Sequence, residues 1–430
     1  MTINTVTGAI SWLFIRMIAV LGSLMVLGSL TNSYASNEDL NPVNEASSNT
    51  PAISVPPHPS AAAMEALGRK LFFDPTLSAA HNISCATCHD PSHAYGPSNA
   101  RPVELGGRQR KQQGPRAVPS LRYLQNIPFF SEQFFDEDFD DSVNAGPTGG
   151  RTWDGRAATV QEQARLPLLG AAEMANESPE QVVASLQKGK YTEQFRQTFG
   201  ADIFKNPQAA FAAACQALEV FQQNPAEFYP YSSKYDAFLR GQTKLNKREQ
   251  HGLVLFNDPK KGNCAACHQS AVGTSHALPS FSDFGYIALG VPRNLHLTAN
   301  DDPNFHDLGL CGPYRRDLTD RPEYCGLFRT PSLRNVALRK TFFHNGVFHN
   351  LKQVLEFYVQ RESHPEKWYA RDAHGKVQKY DDLPAQYHKN INHEAPFDKG
   401  PKDKPSLNAA EIQDVIVFLN TLTDGWAKSK

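Results

Sequence analysis

Two five-residue segments constrain this chain more than anything else in it: Cys85-Ala-Thr-Cys88-His89 and Cys264-Ala-Ala-Cys267-His268. In each, two thiols separated by two residues are followed at once by a histidine. At that spacing both thiols reach the vinyl groups of one haem as thioethers, and the histidine falls beneath the iron as its axial ligand. A zinc site built from both CxxC pairs, or two redox dithiols, are the alternatives. Both leave the following histidine unexplained twice, so the spacing points to two covalently bound haem c groups.

The two segments have a common approach. Gly68-Arg-Lys-Leu-Phe-Phe-Asp-Pro75 precedes the first, and Gly252-Leu-Val-Leu-Phe-Asn-Asp-Pro259 precedes the second. This internal echo implies two related haem domains, and 430 residues exceed the roughly 250–300 over which a single hydrophobic core keeps growing. Each domain also offers a helix by apolar spacing. Over 207–223 the stripe is Phe211, Cys215, Leu218 and Phe221, which makes Cys215 a buried apolar residue. Over 409–422 it is Ile412, Ile416 and Leu419, extended by Val415, Phe418 and Leu422. Between such helices run long stretches rich in Pro, Gly and aromatics, without the alternation of strands. The expected fold is mainly α: two cytochrome c-type haem domains with long irregular loops, over 61–235 and 236–430. The boundary falls where Pro230, Tyr231 and polar residues interrupt the pattern.

The first 35 residues hold one basic residue, Arg16, an apolar run from Met17 to Leu30, and the small-residue end Ser33-Tyr34-Ala35. That is the pattern of a secretory signal peptide cut after Ala35. Extended back to Ala9, the same run approaches the roughly 18–20 residues that span a bilayer, so a retained membrane anchor is the competing reading. Residues 36–60 follow as a flexible lead-in rich in Asn, Ser and Pro. No later stretch is apolar and long enough to span, so the expected location is periplasmic, with no membrane span after signal removal. A formal charge of −1 gives no global field that would gather nucleic acid. In an oxidising compartment Cys311 and Cys325 could close a disulfide.

Away from the cysteines, the chain reads Trp153-Asp154-Gly155-Arg156-Ala157, then Gln163, Pro167, Glu173 and Met174; later come Arg329-Thr-Pro-Ser-Leu-Arg-Asn335 and Phe343-His344-Asn345-Gly346. These motifs resemble the bacterial di-haem cytochrome c peroxidase and MauG family, over nearly all of the chain after residue 35. The resemblance implies a peroxidatic N-terminal haem on His89 and an electron-transfer haem on His268, with Trp153 between them. Without it, Trp153 reads as an ordinary core aromatic. It also implies places beside the first iron for Gln163 and Glu173. A carboxylate suits that place, because splitting hydrogen peroxide heterolytically moves a proton from the inner oxygen to the leaving one, and nearby Arg and Gln would hold the peroxide. The plain alternative for Glu173 is an acid at the helix start marked by Asn176, Ser178 and Pro179.

Branches of that family differ in the second ligand of the C-terminal haem, fourteen residues after the histidine of Phe-His-x-Gly. Counting from His344 gives Tyr358, so the chain resembles the MauG-like, Tyr-ligated branch rather than the Met-ligated one. A phenolate favours the higher oxidation states of iron. Without the family register, Tyr358 is a packed aromatic beside Val354, Leu355 and Phe357. Gly262 stands where MauG has a Trp two residues before its second CxxCH, so that electron route is absent. His93, four residues after His89, is read as a surface or supporting histidine. The resemblance further implies a calcium ion held by the Asn126 side chain and the main-chain carbonyls of Arg339 and Thr341, where side-chain identity would matter little; otherwise Asn126 is a turn residue before Pro128. The expected function is a periplasmic peroxidase-like oxidoreductase. It would use hydrogen peroxide to oxidise a small redox protein, or to modify a partner protein through high-valent haem. Its rival is a non-catalytic di-haem electron carrier or redox sensor, which has no use for an acid over an open iron.

Overall fold

The computed structural model describes residues 59–132, 146–273 and 276–427. The expected signal peptide and nearly all of the expected lead-in lie outside the described residues. Eleven α-helices occur among those residues: α1 (Ala61–Phe72), α2 (Cys85–Cys88), α3 (Val160–Leu169), α4 (Pro179–Lys188), α5 (Thr192–Phe199), α6 (Pro207–Phe221), α7 (Pro225–Phe228), α8 (Lys234–Leu239), α9 (Lys247–Asn257), α10 (Leu351–Gln360) and α11 (Ala409–Asn420). Sheet is confined to two antiparallel pairs of two-residue strands, β1 (Leu105–Gly106) with β2 (Gln112–Gln113) and β3 (Tyr286–Ile287) with β4 (Phe328–Arg329). The protein is mainly helical, as its apolar spacing implies.

The long helices begin where side chains can satisfy their first N–H groups. Asn206 caps α6 with Pro207 at its first position, and Asn246 and Asn408 form capping boxes with Glu249 and Glu411 at the starts of α9 and α11. Helix α1 then crosses α6, and α9 crosses α11, each at the glycine that opens its echo. A Cβ on Gly68 would lie 1.9 Å from the carbonyl oxygen of Ala217, and one on Gly252 would lie 2.0 Å from that of Asp414. Only glycine lets two helix backbones meet so closely. One turn further along, Phe72 meets Phe221 edge-on at 5.5 Å, and Phe256 meets Phe418 in the same way at 5.2 Å. The repeated motif is therefore a repeated helix crossing.

Two apolar cores grow from these crossings. The first buries Leu67, Leu71 and Phe72 against the whole stripe Phe211, Cys215, Leu218 and Phe221. The second buries Leu255 and Phe256 against Ile412, Val415, Phe418 and Leu419, with Ile416 packing at its edge. Each large side chain so buried contributes about 1.5–3 kcal/mol. Phe228 belongs to the first core and Tyr235 to the second, although the sequence boundary puts Tyr235 with the first.

Polar contacts stitch the two cores together. Asp424, just past α11, accepts bonds from Tyr123 (2.6 Å), Arg122 (2.8 Å) and Asn335 (2.7 Å). Arg334 donates twice to the buried Asp236 (2.9 and 3.1 Å) while lying over the rings of Tyr123 and Tyr231. Between α9 and α10 the described residues hold only β3, β4 and short turns of 3-10 helix among their regular elements, with Cys311 and Cys325 joined in a disulfide. No helix among the described residues is long and apolar enough to cross a membrane.

Candidate active site

The first CxxCH begins on a single helical turn. The Ser84 N–H donates to Thr87 Oγ1 across the start of α2, which sets Cys85 and Cys88 on the turn and His89 at its end. His89 Nδ1 donates to the carbonyl of Tyr95 at 3.0 Å. Burial lowers the ring pKa to about 4, despite the opposing pull of the Tyr95 and Pro119 carbonyls. The imidazole is therefore neutral at pH 7, with the Nε2 lone pair left for a metal. His268 repeats the arrangement: Nδ1 donates to the carbonyl of Phe281 at 2.9 Å, and burial again lowers the ring to about 4. The four thiols are free and half-buried. Among the described residues no three His, Cys, Asp or Glu side chains gather into a metal cluster, so the two CxxC pairs do not meet around a zinc ion.

Helix α3 leads into a tight loop. The N–H groups of Glu173 and Ala175 both donate to the Gly170 carbonyl (2.9 Å each), and that of Met174 donates to Pro167 (3.0 Å). The buried Asn176 amide fastens the loop to the carbonyls of Leu77 and Leu168, both at 2.8 Å. Glu173 sits inside this loop, ahead of Ser178, the N-cap of α4, so it is not a helix-start acid. Its carboxyl folds over Gly170, where an added Cβ would lie 2.3 Å from Oε2. From there it is close enough to raise the thiols of Cys85 and Cys88, which burial already pushes up to about 12. Burial also raises Glu173 above the usual 4.5, with the Arg156 guanidinium opposing. Such a carboxyl is suited to taking up and returning a proton. Gln163 lies half-buried on α3.

A cavity of about 1220 Å³ gathers Cys264, Cys267, His268, Tyr358 and Trp153. Tyr358 reaches it from α10, with its ring 5.0 Å from that of Phe397. Burial pushes its phenol above the ordinary range, and the Cys267 and Cys264 thiols add to the shift. The Tyr358 hydroxyl bonds no group among the described residues, whereas the buried Tyr123, Tyr235 and Tyr369 hydroxyls all donate to oxygen acceptors. The half-buried phenol thus faces the cavity with its oxygen left for a ligand.

Trp153 lines the same cavity and is fixed on both sides. Its Nε1 donates to the Ala117 carbonyl at 2.8 Å, and its own carbonyl accepts from the N–H of Arg329 in β4 at 2.9 Å. Beside it, Asp154 pairs with Arg116 (2.7 Å) and Arg156 (2.8 Å), and Arg116 also holds Asp307 at 2.7 Å. Burial would raise Asp154, but the two guanidiniums bring it down to about 2. Nothing in the spacing of Arg116 and Asp307 announces this network. The His344 ring stacks on Phe328 with centroids 3.6 Å apart. His93, half-buried at the cavity edge, contacts Ser92 and Asp90.

These residues fit haem. Arg329 Nη1 and Arg339 Nη2 are buried N–H groups with no protein partner, and both residues line the cavity. They suit the carboxylates of a haem whose ring lies against apolar walls. The residues expected to hold calcium do not fit that ion. Asn126 is exposed, and the Thr341 carbonyl accepts a bond from Arg339 Nε at 3.2 Å. Calcium gathers about six to eight oxygens, and a guanidinium on one of them repels it. Gly262 has its own reason. A Cβ there would lie 2.7 Å from the Leu255 carbonyl oxygen, so the position does not admit a Trp without moving α9.

Comparison with known proteins follows the same residues. A family model for di-haem cytochrome c peroxidase matches residues 62–244. The methylamine utilization protein MauG of Paracoccus denitrificans is 32% identical over 385 residues, 85% of this chain and 90% of that protein. The cytochrome c551 peroxidase of Nitrosomonas europaea is 29% identical over 301 residues, 69% of this chain and 73% of that one. The crystal structure of the diheme peroxidase BthA from Burkholderia thailandensis superposes with a TM-score of 0.75 at 35% identity, covering 85% of this chain and 87% of that one. With likeness of this extent in both sequence and fold, the chain belongs to the di-haem cytochrome c peroxidase and MauG family and is an oxidoreductase of the di-haem peroxidase class.

Proposed function

We propose that the chain is an exported enzyme that binds two haems through thioethers, one at Cys85, Cys88 and His89 and one at Cys264, Cys267 and His268, and that it reduces hydrogen peroxide at the expense of a protein partner. Haem bound at the first site supplies the iron at which peroxide is reduced. Everything else is done by the chain. Glu173, folded over Gly170 against the first CxxCH, takes the proton from the inner peroxide oxygen and delivers it to the leaving one. Gln163 and Arg156 hold the peroxide and meet the charge that develops on it. At the second site His268 and Tyr358 would hold the haem, and Trp153, which lines the same cavity, would carry electrons between the two sites. The partner is a small redox protein or a protein whose own side chain is oxidised. Tyr358 favours the second, and Gly262 requires that electrons enter by a route other than that of MauG.

The observation that carries this reading is the buried carboxyl of Glu173 beside Cys85 and Cys88. The test is a hydrogen peroxide titration of the ferric holo-protein, followed from the visible into the near-infrared. The wild type is expected to change spectrum at stoichiometric peroxide and Glu173→Gln to respond far more slowly. An inert wild type would defeat the proposal and restore the electron carrier.

A further inference from the structure

We infer that the guanidinium of Arg339 does the work of a bound metal ion between the two haem sites, tying Val118 to Thr341 and so positioning Trp153. The inference rests on the two-haem reading above. Arg339 Nε donates to the Thr341 carbonyl at 3.2 Å, and Nη1 donates to the Val118 carbonyl at 3.0 Å, 221 residues away in sequence. Val118 adjoins Ala117, whose carbonyl accepts Trp153 Nε1 and whose N–H donates to the His344 carbonyl at 2.7 Å. Two consecutive residues are thus gripped from Arg339, from His344 and from Trp153. Loosening any one grip shifts the carbonyl that orients the indole.

The electrostatics agree with this role. No carboxylate faces Arg339, and burial alone acts on it, lowering its pKa only to about 10. It remains a cation at neutral pH. A metal ion would do the same chemistry, gathering main-chain oxygens from both halves around one positive charge. The guanidinium does so with directed donors, and Nη2, buried and without a protein partner, is left for a haem carboxylate. Since Thr341 is only 1% exposed and its carbonyl is already engaged, a metal has no approach to it while Arg339 is in place.

The experiment uses holo-protein equilibrated with calcium chloride and desalted. Calcium is counted by elemental analysis and haem by pyridine haemochrome. Two haems and far less than one calcium per chain are expected, with melting temperature and haem spectra unchanged by EGTA. One calcium per chain, or a melting temperature that falls on chelation, overturns the inference. Fewer than two haems instead breaks the two-haem reading, so the two failures are distinct. Positioning is read with Arg339→Lys, which keeps the charge but loses the fork. It is expected to keep both haems and their ferric spectra while losing the near-infrared response to peroxide. An undiminished response overturns the positioning role. Should the variant fail to take up haem, the calcium count and the chelation test on the wild type still decide.

Discussion

The two haem-binding halves share a helix crossing and differ in what reaches the haem site from beyond it. In one, α1 meets α6 through Gly68; in the other, α9 meets α11 through Gly252, and a phenylalanine pair follows one turn later in both. Each half also ties the Nδ1 of its CxxCH histidine to a main-chain carbonyl. There the likeness stops. A carboxyl arrives beside the first CxxCH from the loop after α3, whereas a phenol arrives beside the second from α10. The crossing and the pinned histidine are what seating a haem requires. On the reading proposed above, a single side chain from a separate element would then set what that haem does. Substitutions can test whether these two layers are separable.

The largest effect is expected where the halves are most alike. Gly68→Val and Gly252→Val would each place a Cβ within 2.0 Å of a helix carbonyl, so the helices must part. Each should cost more than the roughly 1–3 kcal/mol of ordinary overpacking, seen as a drop in the urea midpoint of the holo-protein. If one valine were tolerated and the other not, the crossings would not be equivalent.

The next effect separates the halves. Glu173→Gln should lower kcat/KM for peroxide by about 10²–10⁴ and leave the urea midpoint nearly unchanged. The pH profile carries a sign. The carboxylate must first accept a proton, so the rate of the wild type should rise with pH through a pKa above 4.5, the direction in which burial moves Glu173. That limb should vanish in the variant. An acid limb surviving in Glu173→Gln would assign it to another group.

Tyr358→Phe should act on the second half alone. The lost hydroxyl bonds no described protein group, so stability should fall by less than the roughly 0.5–1.5 kcal/mol of an ordinary hydrogen bond. The ferric spectrum of the His268 haem should change while that of the His89 haem does not. An unchanged spectrum would return Tyr358 to the status of a packed aromatic.

Legibility followed the range of each interaction. The glycine echoes and the stripe of α6 are local patterns, and the structure places them on helices as the spacing implies. Glu173 was legible only through its motif, because the loop that carries it is held by main-chain bonds to Gly170 and by Asn176, which have no sequence period. The Arg116–Asp307 pair joins residues 191 apart, beyond any spacing rule. The calcium expectation met no local signal against it. When ligands are main-chain carbonyls, side-chain identity looks irrelevant, yet Arg339 is long enough to turn back onto the Thr341 carbonyl. Tyr235 stands at the boundary drawn from Pro230 and polar residues, and only its ring contacts show that it packs in the second core.

The smallest effect tests the loops of the second half for a titration that has no counterpart beside the first CxxCH. Burial raises Asp382 from 3.8 to about 7, with Asp307 adding to the shift, while Arg293, 3.1 Å away, and the Asn345 amide pull the other way without cancelling it. The folded state therefore holds this proton more tightly than the unfolded chain. The stability it contributes is complete below the unfolded pKa and is lost as pH rises through about 7. The melting temperature of the wild type should fall from about pH 4 to about pH 7 and level off above that, and in Asp382→Asn that slope should flatten. A slope that persists in the variant would place the titration elsewhere, Asp381 and Asp283 being carboxyls that burial also raises.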